Sequence, residues 1–131
     1  MPKQHIRKYV TRYGAEAMYS RAIRSSGELV FFQGQAGVDF DGNLVGPGDA
    51  GTQADQACRN IRQLIEEAGG TLKDVCKLTV YVTDVRHRPA VYAAINRHFE
   101  GVHHCSTGVV VSGLAIPEML VEIDAFAAID R

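Results

Sequence analysis

Two carboxylates, Glu122 and Asp124, are the first residues of this 131-residue chain whose type and spacing could do chemistry. They fall in the run Leu120 to Ala128, where Leu120, Glu122, Asp124 and Phe126 alternate with Val121, Ile123, Ala125 and Ala127. Such alternation predicts a strand, and alternate strand residues share a face about 7 Å apart. A carboxylate placed in this way can take a proton, return it and orient a water molecule. The competing assignment for Glu122 is a structural acid, bonded to backbone or to an arginine across a subunit interface. Tyr19 and Arg21 form a second pair. In the alternating segment Tyr19 to Ser26 they share one face with Ile23 and Ser25, while Arg24 points the other way. A phenol beside a guanidinium could hold a small anion; a solvated surface side chain is the competing assignment for Arg21. The third group is contiguous: His103, His104, Cys105, Ser106 and Thr107. Successive side chains of an extended segment point to opposite faces, so the imidazoles and the thiol cannot close on one ion, and no metal site is expected. Cys105 as a nucleophile would need an adjacent base, and His104 points away from it.

Composition narrows the function classes. Apolar residues make up 46% of the chain and charged residues 22%, the mixture of a globular domain, and the length suits one domain over residues 1–131. Fourteen basic and 15 acidic side chains leave a net charge of −1, with no basic stripe, so sequence-independent binding of nucleic acid is not expected. No apolar run approaches the roughly 20 residues of a membrane span. Met1 to Val10 carries Lys3, Arg7 and Lys8 with no apolar stretch after them, unlike a secretory signal. Cys58, Cys76 and Cys105, odd in number and without CxxC spacing, read as reduced thiols, which points to the cytoplasm.

The elements that must position these residues follow from periodicity. His5 to Val10 is a weak strand. Tyr19 to Ser26 and Leu29 to Gln33, joined at Ser26-Gly27-Glu28, read as a hairpin. Ala54, Ala57, Cys58, Ile61, Leu64, Ile65 and Ala68 make one apolar helical stripe, with Thr52 and Asp55 as a capping box and Gly69-Gly70 as the stop. Cys58 is then a core residue. Val75 to Val82 reads as a strand, Arg88 to Phe99 as a helix with Pro89 in its first turn, and Ser106 to Val111 and Leu120 to Ala128 as strands. The order implies an α+β domain: a single, mostly antiparallel, six-stranded sheet with both helices on one face. The uncovered face calls for a partner subunit.

Several segments resemble the Rid family (reactive intermediate deaminases, YjgF-type, L-PSP endoribonuclease-like). Val121-Glu122-Ile123-Asp124-Ala125 is similar to the family's Ile-Glu-Ile-Glu-Ala strand, preceded by Val109, Ser112 and Leu114 in signature spacing. Phe32-Gln33-Gly34-Gln35 is similar to its Thr-Ser-Gly-Gln segment. Gln56, Asn60-Ile61, Leu64 and Ala68-Gly69-Gly70 resemble its first helix, and Asp74-Val75 through Asp84 its middle strand. The resemblance implies a chorismate-mutase-like fold, a homotrimer with clefts between subunits, and cofactor-free hydrolysis of imines and enamines to carbonyl compounds and ammonia. It also implies site residues: Glu122 as the catalytic acid, Tyr19 lining the cleft, Gln33 at the family's serine position, and Gly34 where the main chain approaches a ligand. One position departs. Aligned on Val109, Leu114 and Glu122, the family's carboxylate-pairing arginine is Ser106 here, followed by Thr107. A guanidinium makes two charge-assisted hydrogen bonds to a carboxylate and a serine hydroxyl makes one neutral one. The expected substrates are therefore reactive imines, enamines or related unsaturated molecules other than 2-aminoacrylate. Arg21 is the candidate replacement cation, with Ser106 and Thr107 as hydroxyl donors. A metabolite-binding trimer without turnover is the alternative, and a ribonuclease or translation inhibitor a third reading.

Overall fold

The computed structural model describes residues 3–8, 10–12, 15–17 and 19–130. Among them, nine strands and two α-helices alternate along the chain: β1 (Gln4–Ile6), β2 (Val10–Arg12), β3 (Ala15–Ala17), β4 (Ala22–Arg24), β5 (Glu28–Phe31), β6 (Gln35–Ala36), α1 (Ala50–Glu67), β7 (Val75–Val82), α2 (Arg88–His98), β8 (Cys105–Val110) and β9 (Val121–Ile129).

The main sheet has the order β5-β9-β7-β8, with β6 also paired to β9. β9 is antiparallel to β5, β6 and β7, whereas β7 and β8 are parallel. Parallel neighbours need a crossover, and α2 supplies it. The alternation of β7 turns Leu78, Val80 and Val82 inward, and that of β9 does the same for Val121, Ile123 and Ala125. Against them pack Ala54, Ala57, Cys58, Ile61 and Ile65 of α1 and Val91, Ala94 and Ile95 of α2, in one apolar cluster. Each large aliphatic side chain removed from water there contributes roughly 1.5–3 kcal/mol. The other face of the sheet presents Thr79 and Tyr81 of β7, then Glu122, Asp124 and Phe126 of β9. Large apolar groups are left open on it: Leu29 is 66% exposed, Phe31 70% and Phe126 45%. The rings of Phe31 and Phe126 meet edge to face at 5.7 Å.

The N-terminal third departs from the expected hairpin. β4 pairs with β1, and β5 pairs with β9, so Tyr19–Ser26 and Leu29–Gln33 do not pair with each other. The reason lies at Gly27. Its φ is +116°, and a side chain there would lie 2.3 Å from the Ile129 carbonyl oxygen. The turn is pressed onto the end of β9, and the chain leaving it is delivered to β9. The single six-stranded sheet is therefore corrected to a five-stranded sheet with two short ladders, β1–β4 and β2–β3. The predicted His5–Val10 strand ends at Ile6, because Arg7 adopts φ +54°; Tyr9 lies outside the described residues.

α1 starts four residues before its predicted apolar stripe. Asp49 caps it, its carboxylate accepting from the Thr52 amide at 3.1 Å. Asp55, expected in a box with Thr52, instead accepts from Arg59 Nε at 2.8 Å and meets His98 Nε2 at 2.7 Å. A capping box forms further on, between Thr71 and Asp74, around a single 3-10 turn. Gly69, at φ +92°, ends α1 as expected. Among the described residues no helix is long and apolar enough to cross a membrane.

Candidate functional site

Glu122 stands in the middle of β9, paired with Ala36 on one side and Tyr81 on the other. Its carboxylate is laid against the main chain at Gly34. A side chain at position 34 would put its first carbon 2.2 Å from Glu122 Oε2, so glycine is the residue that permits the contact. Both residues line a hollow of about 640 Å³, together with Gln33 and the apolar side chains of Phe31, Phe40 and Met119. Gln33 is exposed, and its carbonyl accepts from Gln35 Nε2 at 2.9 Å. Among the described residues of the protomer, no cation or hydrogen-bond donor pairs with the Glu122 carboxylate. Among the described residues the structural-acid assignment therefore has no backbone partner for Glu122, and the arginine it calls for would belong to a neighbouring subunit. Asp124 shares the face of Glu122, opposite Thr79, but is not among the residues lining this hollow.

What holds this stretch of β9 is a residue the sequence reading passed over. Gln53 of α1 is fully buried. Its Nε2 donates to the carbonyls of Gly46 at 3.1 Å and Glu118 at 3.0 Å, and its Oε1 accepts from the Leu120 amide at 2.9 Å. One side chain ties the loop before α1 to the loop before β9. A signal was present: Gln53 stands four residues before Ala57, on the apolar stripe. A long amide on a buried face must bond something.

The remaining candidates gather elsewhere. Tyr19, Arg21, Ser106 and Thr107 line a second hollow of about 410 Å³, with Lys77 and Gly108. Tyr19 Oη donates to Asn96 Oδ1 at 3.2 Å, and its ring stands edge-on to His104 at 5.2 Å. Arg21 is exposed at the rim. Thr107 Oγ1 accepts from Lys77 Nζ at 2.6 Å. Ser106 Oγ is buried and, among the described residues, has no hydrogen-bond partner. His104, just before β8, is 2% exposed, and burial pushes its pKa down to about 4, with His103 adding to the shift. It is a neutral ring in a dry place. Burial also raises the Cys105 thiol, the reverse of what a nucleophile needs.

Also unforeseen is what lies against Gly108. A side chain built there would meet Tyr92 Oη at 2.1 Å and Arg88 Nη1 at 2.4 Å. A glycine inside a strand often marks such a close approach.

One protomer does not join the two groups. The hollows share no lining residue. Glu122 lies two strands from β8, about 10 Å across the sheet. Ser106 and Gly108 pair with the inward-facing Leu78 and Val80, so they face the helices, whereas Glu122 faces away from them.

Residues 10–129 match the family described as endoribonuclease L-PSP. A RutC family protein of Pyrococcus abyssi is 32% identical over 109 residues, covering 83% of this chain and 84% of its own. A conserved Rid family protein of unknown function from Yersinia pestis superposes with a TM-score of 0.84 at 30% identity, covering 98% of this chain and 100% of its own. A YjgF-family protein from Mycobacterium tuberculosis gives 0.70 at 30% identity, again covering 98% and 100%.

Proposed function

The chain belongs to the endoribonuclease L-PSP family, that of the Rid and YjgF proteins, and from that premise we propose that it is a cofactor-free hydrolase of reactive imines or enamines, working in clefts between the protomers of a homotrimer. The observation that carries this reading is the Glu122 carboxylate, without a partner among the described residues, laid against Gly34 in a hollow walled by Phe31, Phe40 and Met119. In that setting Glu122 takes a proton from water as the water oxygen bonds to the imine carbon and the C=N electrons move to nitrogen. The same carboxyl returns the proton to the nitrogen; it then takes the carbinolamine's hydroxyl proton and passes it to the amine as the C–N bond breaks, leaving a carbonyl and ammonia. The apolar walls strengthen each charge interaction by excluding solvent. The open apolar face of the sheet, with Leu29, Phe31 and Phe126, supports association into the trimer.

Ser106 where the family carries arginine supports a substrate other than 2-aminoacrylate, unless a cation from outside β8 takes over the grip on the carboxylate. The test is ammonia release from imines generated in place by an amino-acid oxidase. We expect release above the uncatalysed rate for some imines, and a fall of about a hundredfold or more in Glu122→Gln. Ligand binding without any release would favour a metabolite-binding trimer instead. The balanced charge gives little support to a ribonuclease, which must hold a polyanion.

A further inference from the structure

We infer that the ligand's carboxylate is held by Arg88, delivered from the first turn of α2, together with the hydroxyls of Tyr92 and Ser106. This deepens the reading above and rests on it for the use of the β8 hollow as half of the working cleft.

Ser106 and Gly108 are two residues apart on the side of β8 that α2 covers. Arg88 and Tyr92 are four residues apart on α2, hence neighbours on one face of the helix. Gly108 makes their approach to the strand possible, since any side chain there would strike Tyr92 Oη and Arg88 Nη1. The Arg88 guanidinium carbon lies 4.8 Å from the centroid of the Tyr92 ring, a cation–π contact that holds the guanidinium over the ring. Arg88 is half-buried, and among the described residues no carboxylate pairs with it. Arg59 and Arg86 differ: they meet Asp55 at 2.8 Å and Asp84 at 2.7 Å. A partly desolvated guanidinium with no counter-ion among the described residues, already held against the Tyr92 ring, is prepared to receive one.

A second, independent observation lies two residues along the strand. Ser106 Oγ is buried with no partner, and an unmade hydrogen bond of that kind is costly. Its side chain stands about 7 Å from the Gly108 position, on the same face. A carboxylate accepting from Arg88 with one oxygen and from Ser106 with the other spans about that gap, given hydrogen bonds of about 2.8 Å each. The two other cations near the hollow are placed differently. Arg21 is exposed at its rim, and Lys77 is spent on Thr107, on the opposite face of the sheet. The cation that Ser106 lacks thus comes from the helix opposite.

Pyruvate and its uncharged amide, pyruvamide, titrated calorimetrically into the full-length protein, separate charge from shape. The wild type should bind pyruvate about tenfold or more tightly than pyruvamide, the value of a hydrogen bond to a charged group. Arg88→Gln should abolish that preference with an unchanged circular dichroism spectrum, and Arg88→Lys should restore part of it. Gly108→Ala keeps the charge but displaces Arg88 and Tyr92, so it too should lose the preference. Arg24→Gln should change nothing. The inference is overturned if the wild type does not discriminate, if Arg88→Gln keeps the preference, or if Arg21→Gln rather than Arg88→Gln removes it. Because binding is read without turnover, a protein that discriminates through Arg88 yet releases no ammonia keeps this site and loses the hydrolase reading. One that releases ammonia but ignores Arg88 does the reverse.

Discussion

His104 is confined between the rings of Tyr19 and Phe99, at 5.2 and 4.9 Å, with neither ring nitrogen bonded among the described residues. Its pKa is pushed down to about 4 by burial. The unfolded chain takes up this proton near 6.5 and the folded chain only near 4, so the unfolded state binds more protons between those values. Stability contributed here is complete above pH 6.5 and is lost as pH falls towards 4, by up to about 3 kcal/mol. His103, also shifted down by burial, adds in the same direction. Urea unfolding at pH 7.5 and 4.5 should show a marked fall in the midpoint, and His104→Leu should flatten it; an equal fall in both proteins would remove His104 as the cause. Cys58 gives a second residue-scale expectation. Its thiol is raised to about 12 by burial in the α1 stripe, so it should resist thiol reagents at pH 8 until the chain unfolds. A native-state adduct at Cys58 would contradict the packing. Cys58 was readable as a core residue because helical periodicity is local. Arg88 was not readable, because its approach to Gly108 joins residues 20 positions apart in sequence that only the β7–α2–β8 crossover brings together.

At the scale of elements, α1 does more than cover the sheet. Through Gln53 it bonds three backbone groups in two loops, one of them leading into the strand that carries Glu122. Gln53→Leu would leave two carbonyls and an amide without partners, at about 1–3 kcal/mol each. We expect a loss of about 3 kcal/mol or more in unfolding free energy, and slower ammonia release at temperatures where the variant stays folded; an unchanged midpoint would show that water replaces the amide. The long elements were legible. The β7 and β9 regions carry period-two alternation and the α1 region an unbroken apolar stripe, signals that tertiary contacts reinforce. The N-terminal ladders were not, because three-residue strands carry almost no periodicity. The hairpin expected around Gly27 failed for a related reason: whether a turn returns a strand to its predecessor depends on what the turn packs against, here the end of β9. The helix start was misplaced because Asp49, Thr52 and Asp55 are all plausible caps, and only the course of the preceding loop selects Asp49.

At the scale of the whole molecule, a sheet with one covered face leaves Leu29, Phe31 and Phe126 in water. Light scattering at micromolar concentration should give three times the mass of 14.3 kDa. Phe31→Glu with Phe126→Glu should reduce the mass to that of one chain and abolish ammonia release together, whereas a monomeric wild type would remove the intersubunit cleft altogether. The division of the candidate site within a protomer has a further consequence. Glu122 and Gly34 stand in one hollow, Ser106 and Gly108 in another, so in the proposed trimer each chain would bring two unlike halves to two different neighbours. Defects in the two halves are then complementable. Glu122→Gln and Arg88→Gln homotrimers, each inactive alone, should regain activity when unfolded together and refolded as a mixture, because about a quarter of the randomly formed interfaces unite an intact acid from one parent with an intact cation from the other.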